Sequence, residues 1–327
     1  AQAVPAAMDQ LADAIYLVYY LFRKEQSLPA IEIVEVAPRD GLQNEARIVS
    51  TAHKLELIDR AIVAGARRLE VTSFVNPRRV PQMADADEVV AGLPDRDDVT
   101  FIALVLNRRG AERALATRID ELGAVCIASD TFGIRNQGQT SAESLDVARE
   151  TVALARAAGR SAQITIATAF GCPFEGEVPL DRVVEMAKRA ADASPREVAL
   201  ADTIGAAVPG QVSEAVARVA EAIAPLPVRV HFHDTRNTAV ANVWAAINAG
   251  ASVIDAALGG LGGCPFAPGA SGNVATEDVL YLLDRSRIAT GYDRALAIDV
   301  ANWLTGVVGR DLSGKVRCAP AFPAVTA

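Results

Sequence analysis

Eight short runs rich in β-branched and apolar residues recur along the chain, each followed by a stretch with helical patterning. They cover residues 31–36, 68–74, 100–106, 124–129, 163–169, 197–201, 228–233 and 252–258. The step between them averages roughly 30 residues, the size of one strand–helix unit. Strands that alternate with helices in this way pair in parallel, so the chain is confined to α/β architectures. Eight units without a long hydrophilic linker point to one closed (β/α)8 TIM barrel. The rival is an open doubly wound sheet, which usually carries a glycine-rich phosphate turn after its first strand. Here the first strand runs instead into Ala37-Pro38-Arg39-Asp40-Gly41.

The connecting segments read as amphipathic helices. In 51–64, Leu55, Ile58 and Ile62 fall near one face, and Ser50/Thr51 and Ser141 stand where helix N-caps belong. The barrel is assigned to residues 30–310. An N-terminal extension, 1–29, precedes it, with a short helix in the apolar run 14–22. A helical extension follows beyond about residue 285, and the tail is 311–327.

Composition narrows the function classes. The chain has 327 residues, 51% of them hydrophobic, enough for a large barrel core. Its net charge of −8 argues against a broad nucleic-acid footprint. No run reaches the roughly 20 apolar residues of a membrane-spanning helix. The run 14–22 lacks the basic leader and cleavage site of a signal peptide. Cysteines 126, 172, 264 and 318 form no CxxC pair, which fits a reducing, cytoplasmic setting.

In a barrel of this kind the chemistry belongs at the C-terminal ends of the strands. Arg39 and Asp40 end the first strand, Glu70 lies in the second, Asp202 closes the sixth, and His231-Phe232-His233 ends the seventh. Two of the three histidines are therefore two residues apart on one strand and face the same way. They are either hydrogen-bonded core residues or metal ligands. With Asp40 they make a nitrogen–oxygen set without thiolate, suited to Mg²⁺ or Mn²⁺. Arg39 is placed to hold a developing oxyanion. Glu70 could pair with Arg39 and Asp202 could brace a ligating imidazole, although a structural ion pair accounts for both equally. The stretch 259–273 (GGLGGCPFAPGASGN) is a loop: either a lid carrying a reactive Cys264 or a mobile loop with an inert one. Asn273 at its end offers a further oxygen ligand.

Taken together, 34–45 (VEVAPRDGLQNE), 69–75 (LEVTSFV), 76–85 (NPRRVPQMAD), 170–176 (FGCPFEG), 202–205 (DTIG), 231–235 (HFHDT), the loop 260–273 and 275–278 (ATED) resemble the 3-hydroxy-3-methylglutaryl-CoA lyase family. The resemblance covers about residues 30 to 285. It implies a divalent-metal lyase that cleaves 3-hydroxy-3-methylglutaryl-CoA to acetyl-CoA and acetoacetate, and a homodimer. It implies Asp40, His231, His233 and Asn273 as ligands of Mg²⁺ or Mn²⁺. Arg39 would stabilise the enolate, Glu70 would support the polar network, and Cys264 and His233 would move protons. Arg135 and Asn136, in a stretch similar to the family's CoA-contacting region, become contacts for CoA. One departure stands out: after His-Asp-Thr the family usually continues Tyr-Gly-Gln, and this chain has Arg236-Asn237-Thr238. Arg236 either binds a further substrate carboxylate or faces solvent. A citramalyl-CoA or a longer branched glutaryl-CoA is thus the alternative substrate. A Claisen-condensing acyltransferase of the isopropylmalate synthase type is less favoured, because those enzymes usually carry a C-terminal regulatory region.

Overall fold

The computed structural model describes residues 30–263 and 272–322. Eight parallel strands follow one another in chain order and the last pairs with the first, closing a barrel. They are β1 (Glu32–Glu35), β2 (Arg68–Ser73), β3 (Thr100–Val105), β4 (Glu121–Ile127), β5 (Ser161–Ala167), β6 (Val198–Asp202), β7 (Val228–Phe232) and β8 (Val253–Ala256). The TIM-barrel expectation holds, and the open sheet is excluded by the β1–β8 pairing.

Ten α-helices are described. They are α1 (Thr51–Val63), α2 (Ala86–Gly92), α3 (Arg108–Leu115), α4 (Asp130–Gln137), α5 (Ser141–Ala157), α6 (Leu180–Ala191), α7 (Pro209–Ile223), α8 (Ala239–Asn248), α9 (Thr276–Arg285) and α10 (Arg294–Val308). In α1 the side chains of Leu57, Ile58, Ala61 and Ile62 are buried in the core. Ser50 caps α1, accepting a hydrogen bond from the His53 N–H. The cap of α5 is Thr140 rather than Ser141. Thr140 Oγ1 accepts from the Glu143 N–H and the Glu143 carboxylate accepts in turn from the Thr140 N–H, a closed capping box. The expected helix at 14–22 lies outside the described residues. Among the described residues no helix is long and apolar enough to cross a membrane.

The lumen is charged at its lower end. Arg68 of β2 pairs with Glu121 of β4, with Glu197 at the foot of β6 (2.8 Å) and with Glu32 of β1 (3.1 Å). Side chains from strands that are not neighbours can meet only inside the barrel. Arg68, Glu121 and Glu197 are all at most 1% exposed. Buried charges survive only when paired in this way.

At the other end, α10 stops at Gly309, whose φ of 75° is left-handed. The following segment runs back across the stem of the glycine-rich loop that leaves β8. The Gly314 N–H donates to the Gly259 carbonyl (3.0 Å), Ser313 Oγ to the Gly260 carbonyl (3.0 Å), and Leu312 packs on Gly259. Asp278 at the start of α9 accepts from the N–H groups of Lys315 and Val316.

Candidate metal and catalytic site

The site assembles from three consecutive parts of the closed barrel. β1 passes into a tight five-residue π-turn, Ala37–Gly41, with every residue buried. Glu35 holds this turn in place. Its carboxyl accepts from the N–H groups of Ala37 (2.9 Å) and Leu258 (3.0 Å) and meets the Thr276 hydroxyl (2.8 Å). The end of β1, the loop after β8 and the start of α9 are thereby tied to one side chain. Burial pushes Glu35 up to about 8, against the pull of those hydrogen bonds.

The turn presents Arg39 and Asp40. Arg39 Nη1 donates to Asp40 Oδ1 (2.6 Å) and its Nε to Glu70 Oε1, so Glu70 orients the guanidinium as expected. Asp40 also accepts from Gln43 Nε2 (2.8 Å) and Asn273 Nδ2 (2.8 Å). Burial pushes the Asp40 carboxyl up. Arg39 and the two imidazoles outweigh it and hold the group well below the usual carboxylate range.

β7 brings His231 and His233 to the same place, with ring centroids 5.1 Å apart. Their Nε2 atoms lie 3.9 and 3.6 Å from Asp40 Oδ2. One ligand atom from each of Asp40, His231 and His233 falls within 4.8 Å of the others. Asn273 joins them through a short antiparallel bridge to His233. Its stem needs glycine: a Cβ on Gly272 would collide with the Gly260 carbonyl oxygen and lie 2.7 Å from the Leu261 carbonyl carbon.

The set fits a hard divalent cation. Both ring nitrogens of His233 and the Oδ1 of Asn273 are buried without a hydrogen-bond partner among the described residues, a state that proteins seldom tolerate without a ligand to fill it. Among the described residues the donors are imidazole nitrogen with carboxylate and amide oxygen and include no thiolate, a set suited to a divalent cation.

Other expectations are redirected. Asp202 does not brace an imidazole: its two oxygens accept from the backbone N–H groups of Ala206 (2.8 Å) and Ala207 (2.9 Å), fixing the turn after β6. The brace is Asp255 of β8, whose Oδ2 meets His231 Nδ1 at 3.0 Å. Asp255 lies inside the apolar run 252–258, where a lone acid on a buried strand was the signal to follow. Arg236 is exposed and tied by one guanidinium nitrogen to backbone. Its Nη1 donates to the carbonyls of Ile204 (3.1 Å) and Gly205 (2.7 Å) and clamps the loop after β6. Arg135 and half-buried Asn136 lie on α4, at the same end of the barrel. The Arg135 guanidinium stacks on Phe174, 4.2 Å from the ring centroid. Cys264 lies outside the described residues. Gln43, which holds Asp40, lies in the stretch 34–45, where a glutamine in a turn carries no pattern that points to this role.

Residues 30–304 match the family model described as HMGL-like. The chain belongs to the HMGL-like family. Accordingly it is a carbon–carbon lyase. Its curated relatives include the (R)-citramalyl-CoA lyase of Chloroflexus aurantiacus, 42% identical over 91% of this chain and 98% of the relative. The hydroxymethylglutaryl-CoA lyase of Bacillus subtilis is 38% identical over 87% of this chain and 95% of its own. Among solved structures, an HMG-CoA lyase from Acinetobacter baumannii in complex with coenzyme A and 3-methylmalate superposes with a TM-score of 0.87. It is 36% identical, over 92% of this chain and 99% of that one.

Proposed function

We propose that this HMGL-like chain cleaves 3-hydroxy-3-methylglutaryl-CoA to acetyl-CoA and acetoacetate with the help of Mg²⁺ or Mn²⁺. The observation that carries the reading is the meeting of Asp40, His231 and His233 beside a guanidinium already oriented by Glu70. Asp40, His231, His233 and Asn273 are the ligand set. A cation bound there would acidify the substrate's tertiary hydroxyl, as a Lewis acid does for water.

The chain's own residues supply the rest. His233 takes the hydroxyl proton, and the C–O bond becomes a carbonyl only as the adjacent C–C bond gives way. The C–C bond breaks, and its electron pair passes to the carbon beside the thioester, giving an enolate. Arg39, donor-rich and fixed in position, stabilises the enolate oxygen. A proton returned to that carbon completes acetyl-CoA, and His233 and Cys264 are its carriers. Arg135 and Asn136 on α4 are the contacts offered to CoA.

A second reading has one specific support, the 42% identity to a citramalyl-CoA lyase. Citramalyl-CoA differs by one methylene between the carbinol carbon and the free carboxylate, and its cleavage would release pyruvate with acetyl-CoA.

The deciding experiment offers purified protein and Mg²⁺ each thioester in turn and quantifies acetyl-CoA, acetoacetate and pyruvate. Acetoacetate formation at the higher kcat/KM supports the first reading, and pyruvate the second. If acetyl-CoA and 2-oxo acids release free CoA while neither thioester is cleaved, a condensing enzyme replaces both. EDTA should abolish turnover, and Mn²⁺ or Mg²⁺ should restore it.

A further inference from the structure

We infer that Asp255 and Arg229 are positioning residues that lock His231 in the tautomer protonated on Nδ1, leaving the Nε2 lone pair for the cation. The inference rests on the metal reading above and deepens it.

A carboxylate can only accept hydrogen bonds. With Asp255 Oδ2 3.0 Å from His231 Nδ1, that nitrogen must carry the proton. The neutral ring then has its lone pair on Nε2, the atom that lies on the Asp40 side. Asp255 is kept an acceptor by Arg229, whose Nε donates to its Oδ1 at 2.5 Å. Both oxygens of the acid are thus committed, one to the guanidinium and one to the ring, and the acid cannot rotate without giving up one of them.

Arg229 is itself held from below. Its Nη1 lies 3.4 Å from Glu197 Oε1, and Glu197 is also paired with Arg68. Arg229 and Arg68 are each 1% exposed. A ladder of buried charges therefore climbs the lumen from its floor, Arg68 to Glu197 to Arg229 to Asp255, and ends on one metal-facing imidazole. His233 differs: both its nitrogens are without a hydrogen-bond partner among the described residues. The fold chooses the tautomer of one histidine and leaves the other to the ligand.

Two readouts test this on the full chain. The first is nitrogen-15 NMR of histidine-labelled, EDTA-treated protein. The sequence has three histidines, and the H53Q and H233Q variants assign their signals. His231 should be protonated on Nδ1 before any metal is added. The second is Mn²⁺ affinity by electron paramagnetic resonance. Asp255→Asn, which can turn its amide donor toward the ring, should weaken Mn²⁺ binding by about 10–100-fold, the usual cost of losing such a partner. The Nε2–H tautomer of His231 should appear alongside. If the single variant does not fold, the double variant Arg229→Met/Asp255→Leu removes the guanidinium together with every acceptor at position 255 and should weaken Mn²⁺ binding in the same way. A parental His231 without a proton on Nδ1, or a folded variant binding Mn²⁺ within threefold of the parent, overturns the role. Failure of the parent to bind Mn²⁺ at all overturns the metal reading instead, and the NMR result separates the two.

Discussion

Arg39 shares its guanidinium between Asp40 and Glu70, and that sharing sets what its loss would do. Glutamine in its place keeps a donor but removes the charge aimed at the enolate. Removing one such preorganised donor typically costs about 10²–10³ in rate, so Arg39→Gln should lose activity by that factor while its circular dichroism stays parental. Turnover within threefold of the parent would take Arg39 out of the chemistry. At this scale the sequence was informative where a residue stands beside a motif. Asp40, His231 and His233 announce themselves by residue type and by their place at strand ends. Asp255 and Arg229 do not, because a charge inside a hydrophobic run shows its purpose only when the strand opposite is known. Asp202 drew attention for its place at the end of β6, yet its hydrogen bonds stay within its own turn.

The elements that matter most for the site are the shortest ones. Strand positions were legible because parallel strands buried on both faces read as continuous apolar runs. The starts of β4 and β5 were not: β4 begins at Glu121 and β5 at Ser161, earlier than their apolar runs suggest. Glu121 looks like a strand breaker until Arg68 neutralises it from across the lumen. The π-turn Ala37–Gly41 has no sequence period at all, and its shape comes from the bonds that Glu35 makes. The loop stem depends similarly on backbone proximity. Gly272→Ala would push the two arms of the stem apart and shift Asn273 away from Asp40. We expect at least a tenfold loss in kcat and a weaker Mn²⁺ affinity, measured on the same preparation. Parental values for both would show that Asn273 is not needed at the cation.

For the molecule as a whole, closure of the barrel makes its charges work against or for stability together. Glu35 keeps its proton in the fold up to about pH 8, whereas the unfolded chain releases it near 4.5. The folded state therefore holds more protons between those values, and stability must fall as pH rises through that window. Glu277, raised by burial to about 7, acts in the same direction over a narrower range. Urea-unfolding midpoints should decline from pH 5 to pH 8, and Glu35→Gln should flatten the decline. A slope unchanged in the variant would assign the effect to other groups. The segment after Gly309 that crosses the loop stem has a consequence of its own. Its backbone is stitched to Gly259 and Gly260, so whatever steadies the loop must also shield the chain's last turns. Occupancy of the cleft and resistance of the carboxyl end to exopeptidase trimming should then rise and fall as one, and by reciprocity a chain shortened past Ser313 should grip its thioester less firmly.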